Sequence, residues 1–495
     1  MSNGIPAKPI DVTWTDDQWK AIWAKGQDIL VAAAAGSGKT AVLVERIIQK
    51  ILSEEDRMDV DELLVVTFTN ASAAEMRHRI GQALEKAIDE DPHSHHLRKQ
   101  LSLLNRASIS TLHSFCLEVI RKYYYLIDID PGFRIADETE GDLLRDEVLD
   151  DLFEEEYGKE DNHDFFKLVD TFTNDRSDGA LQDMIRKLYD FSRSHPDPDE
   201  WLLGLERMYE LEEGGEIDDL SFIQPLLTDI QLQLHGAKSL FQRALDLTRV
   251  PGGPAPRAEN FLSDIEIVES LEERLSISWN ALYEAIQTLP FTKLKACRGD
   301  EYMKEIVDEA KKLRDQGKKT LEKLQEDFFS RRPGSFLEDM KKMKDVIHTL
   351  AVVVIEFGKR FRQVKEEKGL VDFADLEHFC LDLLRDHSSH ALVPSEAALE
   401  YKNKFKEVLV DEYQDTNMVQ ESILLLITEE REAVGNRFMV GDVKQSIYRF
   451  RLAEPNLFLG KYTRFLPVSG EAGLKIDLSQ NFRSRKEVLE GTNFL

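Results

Sequence analysis

The sequence predicts an α/β protein with a parallel sheet, interrupted by a large, mostly helical insertion. Three observations predict it. Apolar strand-like runs alternate with amphipathic helical segments from residue 28 to about 125, and strand–helix alternation of this kind means parallel pairing. The character then changes: residues 137–164 hold 14 acidic and 2 basic side chains, and helical patterns continue to about residue 370. Apolar strands return near Phe405. Such an insertion is thermodynamically tolerable because loop-closure cost grows only with the logarithm of length.

The elements can be justified in order. Thr15 and Gln18 form a capping-box pattern that starts the first helix. A strand is expected at Asp28–Ala32, a helix from Lys39 to about Leu52, a strand at Leu63–Phe68 and a helix from about Ala71 to Ile88. Ser108–Thr111 reads as a short strand feeding a helix through His113 and Phe115. Pro251-Gly252-Gly253-Pro254 breaks the helical stretch as a turn or loop, and Lys304 to Lys344 is charged and helical. Three further strands are expected: Glu407–Val410, Phe438–Val440 and Leu474–Leu478. The chain closes on Thr492-Asn493-Phe494-Leu495, which reads as an unfinished helix, so the sequence is expected to stop before its last domain is complete.

Composition limits the function classes. The 495 residues suggest roughly two to four domains. A formal net charge of −29 argues against a protein that coats nucleic acid electrostatically, though not against a narrow cleft where bases stack. Cys116, Cys297 and Cys380 are too scattered for a disulfide framework or a zinc site and read as buried thiols of a reducing compartment. The N-terminus lacks an apolar signal core. The longest apolar runs, Ile29–Ala35 and Ala351–Ile355, are far shorter than the roughly 20 residues of a membrane span. A cytoplasmic protein that engages no membrane is expected.

Ala33-Ala34-Ala35-Gly36-Ser37-Gly38-Lys39-Thr40 lies between a predicted strand and a predicted helix, the context of a P-loop. Small residues let the backbone close around phosphate, and the N–H groups of the loop and helix N-terminus stabilise its charge. Lys39 is expected to reach the β- and γ-phosphates and the Thr40 hydroxyl to bind Mg²⁺, so ATP and Mg²⁺ are the expected ligands. The strict pattern has Gly where Ala33 stands.

Val408-Leu409-Val410-Asp411-Glu412 is an apolar strand ending in two carboxylates. Nucleotide hydrolysis needs one carboxylate for Mg²⁺ and another to orient or deprotonate water; Asp411 suits the first role and Glu412 the second. Alone, such a strand end is commonly just solvated; the preceding P-loop and the following Gln414-Asp415 favour the catalytic reading. Farther on, Gln445 is placed to hydrogen-bond the γ-phosphate or the attacking water, and Tyr448 and Phe450 to stack on bases. An aromatic core patch is the competing reading of that segment. Arg483, in Gln480-Asn481-Phe482-Arg483-Ser484, is a second candidate to neutralise phosphate, against the plain alternative of a surface arginine.

These segments, with Thr15-Asp16-Asp17-Gln18, Thr67 to Met76 and Thr111-Leu112-His113-Ser114-Phe115, occur in the order of the superfamily 1 helicases of the UvrD/Rep/PcrA type, which the sequence resembles. His113-Ser114-Phe115-Cys116, the acidic insertion and Val371 to His378 make it more similar to the AddA family, the A subunits of bacterial AddAB helicase–nucleases. The resemblance implies a RecA-like P-loop NTPase domain 1A (residues 1–124 and 371–474), a helical domain 1B (125–370) and the start of a truncated second RecA-like domain 2A (475–495). It implies that Gln18 reads adenine, with helix capping as its other role. By the same resemblance Lys39, Asp411, Glu412, Gln445 and Arg483 are catalytic, Thr40 and Asp411 hold the metal, and residues 33–40 bind phosphate. Phe68, Thr69, Asn70, Thr111, His113, Tyr448 and Phe450 would contact single-stranded DNA. The implied activity is ATP-dependent 3′–5′ unwinding at double-strand-break ends in recombinational repair, in a heterodimer with an AddB-like partner. The iron–sulfur cluster of that family's nuclease domain is not in this chain, since three scattered cysteines cannot supply four thiolates. Two alternatives remain: a UvrD-like helicase with no nuclease partner, and an ATP- and DNA-binding fragment with no turnover. A transporter-like or chromosome-clamping ATPase needs a signature motif and usually a coiled-coil seam, and neither is evident.

Overall fold

The computed structural model describes residues 5–53, 57–127, 129–173, 177–210, 214–389, 391–431, 434–447, 452–468, 470 and 472–494. The main sheet has six strands: β1 Ile29–Ala33, β2 Leu63–Thr67, β3 Ser108–Thr111, β6 Glu407–Val410, β9 Arg437–Gly441 and β10 Leu474–Leu478. Two short pairs complete the strands. β4 Arg134–Ile135 pairs in parallel with β5 Leu370–Val371, and β7 Glu430–Arg431 pairs antiparallel with β8 Val434–Gly435. The main sheet runs in the order β10-β1-β9-β6-β2-β3, and every pairing in it is parallel.

Its strands read as unbroken apolar runs because both faces are covered. Successive side chains point to opposite faces. Thus Leu30, Leu64, Val66, Val408, Val410 and Met439 enter one core cluster, and Val31, Val65, Ile109, Leu409, Phe438 and Val440 the other. The helices Asp16–Trp23, Lys39–Leu52 and Asn70–Glu90 cover the second face. Leu112–Tyr123, Phe373–Leu384, Glu396–Lys404 and Met418–Leu426 cover the first. Cys116 and Cys380 are buried within that first cluster, whereas Cys297, expected to be buried, is only half-buried.

Charged residues at strand ends pin these layers. Arg46, 1% exposed, donates through Nε to Glu407 Oε1 at 2.8 Å and through Nη1 to the Ala21 carbonyl at 2.7 Å. Arg437, also 1% exposed, donates to Asp28 Oδ2 at 2.7 Å and to Glu421 Oε1 at 3.1 Å. Glu421 further accepts from Lys461 Nζ at 2.8 Å and Tyr413 OH at 2.9 Å. Burial pushes Glu421 and Glu407 up, but their cationic partners outweigh it and hold both below the ordinary carboxylate range.

The chain forms two compact units. The sheet unit comprises residues 1–154, 183–199 and 356–495, and the second 155–182 and 200–355. In the second, the helices Ile223–Asp246, Ala258–Leu275, Trp279–Ile286 and Lys304–Phe329 enclose a core that includes Ile230, Leu234, Phe241, Phe261, Val268, Leu282 and Leu321. A buried Arg314–Asp264 pair, with Nη2 to Oδ1 at 2.8 Å, lies inside this bundle.

Two expected boundaries differ from this division. The one at residues 474/475 falls inside β10, which pairs with β1 from Ile29↔Leu474 to Ala33↔Leu478, so residues 475–478 belong to the first sheet. Residues 125–154, 183–199 and 356–370, expected in the helical insertion, go with the sheet unit. The cause is pairing distant in sequence: β4 with β5, Arg193 Nη2 to Asp375 Oδ1 at 3.1 Å, and His378 Nε2 to the Arg193 carbonyl at 2.9 Å. Among the described residues no helix is long and apolar enough to cross a membrane.

Replacing Arg437 by Ala strands the buried carboxylates of Asp28 and Glu421. The expected loss is about 3–5 kcal/mol of stability, read as a lower urea midpoint of the sheet unit. A variant within about 1 kcal/mol of the parent, well short of that loss, contradicts the pinning role.

Candidate nucleotide-binding site

The P-loop leaves β1 and enters the helix Lys39–Leu52. Its turn requires glycine at two points. Gly36 (φ +76°) and Gly38 (φ +84°) take left-handed conformations that side chains rarely adopt. A Cβ on Gly36 would lie 2.9 Å from the Asn481 side chain. The loop is held from three directions. Ser37 N donates to the Ala34 carbonyl at 3.1 Å, Phe482 N to the Gly36 carbonyl at 2.8 Å and Asn481 Nδ2 to the Ala35 carbonyl at 2.9 Å. Gln18 Nε2 donates to the Ser37 carbonyl at 3.0 Å, while Gln18 Oε1 accepts from Thr15 N at 2.9 Å. Capping and loop contact thus occupy opposite ends of one amide.

The carboxylates arrive from β6. Lys39 Nζ lies 3.0 Å from Glu412 Oε2, joining two segments far apart in sequence. Glu412 sits at φ 51°, a left-handed position uncommon for a side-chain-bearing residue, and its N–H donates to Asp411 Oδ1 at 3.1 Å. Gln414 Nε2 donates to Glu412 Oε2 at 2.9 Å and to Asp415 Oδ2 at 3.2 Å, and Gln414 Oε1 accepts from Asp442 N at 2.9 Å. Gln445 Nε2 donates to Asp442 Oδ2 at 2.6 Å. The neighbouring ends of β1, β6 and β9 therefore carry one polar cluster.

Its electrostatics are perturbed in one direction. Burial, reinforced by the Glu412 charge and opposed by Lys39, pushes Asp411 up to about 6. Burial and Glu412 push Asp415 up to about 6 as well. Asp415 Oδ1, Ser446 Oγ and Ser37 Oγ are buried with no hydrogen-bond partner. Crowded, desolvated carboxylates and orphaned oxygens facing a P-loop are a donor set that fits a hard cation such as Mg²⁺, with Thr40 in the first helical turn.

The remaining predicted residues lie elsewhere. Phe68, Thr69 and Asn70 follow β2, and Thr111 and His113 follow β3; the register Thr67↔Thr111 sets the two groups side by side. Thr69 caps its helix through Oγ1, accepting from Ser72 N at 3.0 Å, and Thr111 caps the next, accepting from Ser114 N at 3.3 Å. His113 Nε2 meets Glu377 Oε1 at 3.0 Å. Arg483 is exposed, its Cβ close to Gly36. Tyr448 and Phe450 lie outside the described residues. Sequence reasoning did not select Gln414, Asp415, Asp442, Asn481 or Glu377 as site residues. Gln414 and Asp415 were within reach, because they continue the turn that starts at Asp411.

Residues 14–465 match the family model described as the UvrD/REP helicase N-terminal domain. The chain belongs to this family. Among UvrD/REP helicase relatives, the A subunit of the ATP-dependent helicase/nuclease of Bacillus licheniformis is 60% identical over 490 residues, 99% of this chain and 40% of its own length. Proteins of the same description from Bacillus velezensis and Geobacillus kaustophilus are each 58% identical, over 99% and 100% of the chain. The chain thus spans about 40% of the length of these curated relatives.

The raised Asp411 carboxyl has a consequence for stability. A folded value near 6 against 3.8 unfolded means the folded state binds the proton more tightly, so ionised Asp411 costs stability above pH 6 and the cost fades as pH falls. Asp411→Asn is therefore expected to stabilise the sheet unit by up to ~3 kcal/mol at pH 8 and far less at pH 4.5. Thermal or urea unfolding at the two pH values checks this. An equal effect at both removes the electrostatic explanation.

Proposed function

We propose that this chain is the N-terminal motor part of an ATP-dependent 3′–5′ DNA helicase. The whole protein would be the A subunit of a helicase–nuclease that acts on double-strand-break ends in recombinational repair. The observation that carries the reading is the 3.0 Å approach of Lys39 to Glu412, which closes a P-loop onto a carboxylate pair. The six-stranded sheet unit would be the RecA-like domain and the helical unit the family's insertion. The names of the relatives support both the DNA substrate and a second subunit, AddB-like in the resemblance, in the cytoplasm.

The residues divide the work. The backbone N–H groups of residues 34–40 and the helix N-terminus cradle the phosphates of ATP. Lys39 moves from Glu412 to the β- and γ-phosphates, exchanging one anionic partner for another. Thr40 and Asp411 hold Mg²⁺, which neutralises phosphate oxygens when bound. Glu412, released from Lys39, accepts the proton of the attacking water. Gln445 and Arg483 contact the γ-phosphate, and Gln18 completes the adenine pocket. Phe68, Thr69, Asn70, Thr111 and His113 bind the single strand along the adjacent ends of β2 and β3, together with Tyr448 and Phe450.

In the full-length protein, Lys39→Ala is expected to lower DNA-stimulated ATP hydrolysis by roughly 10²–10³-fold while circular dichroism stays unchanged. Unaltered turnover in a folded variant sinks the assignment.

A further inference from the structure

Glu377 is buried to 4% exposure, and nothing in the nucleotide chemistry above uses it. It lies in the helix Phe373–Leu384, where its carboxylate collects three donors from two other elements. His113 Nε2, one residue into the helix after β3, lies 3.0 Å from Oε1. Gln420 Nε2 donates to the same oxygen at 2.6 Å, and Asn417 Nδ2 donates to Oε2 at 3.0 Å. Asn417 in turn caps the helix Met418–Leu426, its Oδ1 accepting from Gln420 N at 2.8 Å. That cap ends the turn beginning at Asp411 and Glu412. One buried side chain therefore touches both the end of β3 and the exit of the carboxylate turn.

The geometry is directional. Nε2 of His113 is taken by Glu377, and the exposed ring of Phe373 packs edge-on against the imidazole with centroids 5.2 Å apart. This fixes the ring plane and leaves Nδ1 without a partner among the described residues. Burial pushes Glu377 up, but the three donors outweigh it and keep it ionised. A buried carboxylate with three charge-assisted bonds resists displacement, so a shift at one end has to move the other.

We propose that Glu377 is a positioning residue that couples DNA occupancy at His113 to the Asp411–Glu412 turn through Asn417. The proposal rests on the helicase reading given above. It assigns no chemistry to Glu377. It assigns transmission: DNA-stimulated hydrolysis depends on this bridge, whereas basal hydrolysis and DNA affinity do not.

The test uses the full-length protein and a single-stranded oligonucleotide. Glu377→Gln leaves one oxygen for His113 and Gln420 but sets an amide against the Asn417 amide, cutting only the Asn417 arm. The expected result is basal ATP hydrolysis and oligonucleotide affinity within two-fold of the parent, and stimulation reduced tenfold or more. Combining Glu377→Gln with Asn417→Asp reverses the donor and acceptor, keeps net charge and is expected to restore stimulation. Gln420→Ala spares both arms and is expected to leave stimulation intact. The proposal is overturned if stimulation survives Glu377→Gln, if basal and stimulated rates fall together, if the exchanged pair does no better than the single change, or if Gln420→Ala is equally damaging. Should Glu377→Gln not fold, amide hydrogen exchange of the parent decides: oligonucleotide binding slows exchange across residues 413–418, and no change there overturns the proposal. A parent with no DNA-stimulated hydrolysis at all refutes the helicase reading instead.

Discussion

Parallel pairing is the constraint on which everything else depends. Six strands running one way bring six C-terminal ends to one edge of the sheet, and the order β10-β1-β9-β6-β2-β3 decides which loops are neighbours there. The P-loop after β1, the polar turn after β9 and the carboxylates after β6 are consecutive. The candidate DNA residues after β2 and β3 come next. A parallel sheet buries both faces, so its apolar side chains supply cohesion, and chemistry is left to the strand ends.

Charge at the opposite, N-terminal strand ends keeps that edge in register. Asp28 precedes β1, Arg437 opens β9 and Glu407 opens β6, and all three are buried in ion pairs. A slip of one residue would turn every strand side chain to the wrong face, and these pairs would be broken by it. The two strand ends thus use charge differently. At one, buried carboxylates are matched by arginine. At the other, Asp411 and Asp415 are crowded together and incompletely partnered, as groups awaiting a ligand are.

Local signals were readable in the sequence and long-range ones were not. The capping box at Thr15 and Gln18, the glycines of the P-loop and the apolar strands each declare themselves within a few residues. The strand Leu474–Leu478 was legible as a strand, but its place beside β1 was not, because no local feature encodes a partner so distant. The return of residues 183–199 to the sheet unit depends on Arg193 meeting Asp375 and His378, and each of these alone resembles an ordinary helical surface residue. Glu377 escaped notice for the same reason. A glutamate in a helix reads as solvated until its three donors are assembled around it.

The strand order also bears on how the chain is made. β1 emerges early from the ribosome, yet both of its neighbours, β9 and β10, are translated last. At ~5–20 residues per second, β1 waits roughly 20–80 s for a first partner. For that time both of its backbone edges are open to aberrant pairing. The helical unit, encoded in between, can consolidate first. A nascent chain of this topology has a built-in need for a holding chaperone, or for a slow-to-aggregate early segment, before its central strand is sealed.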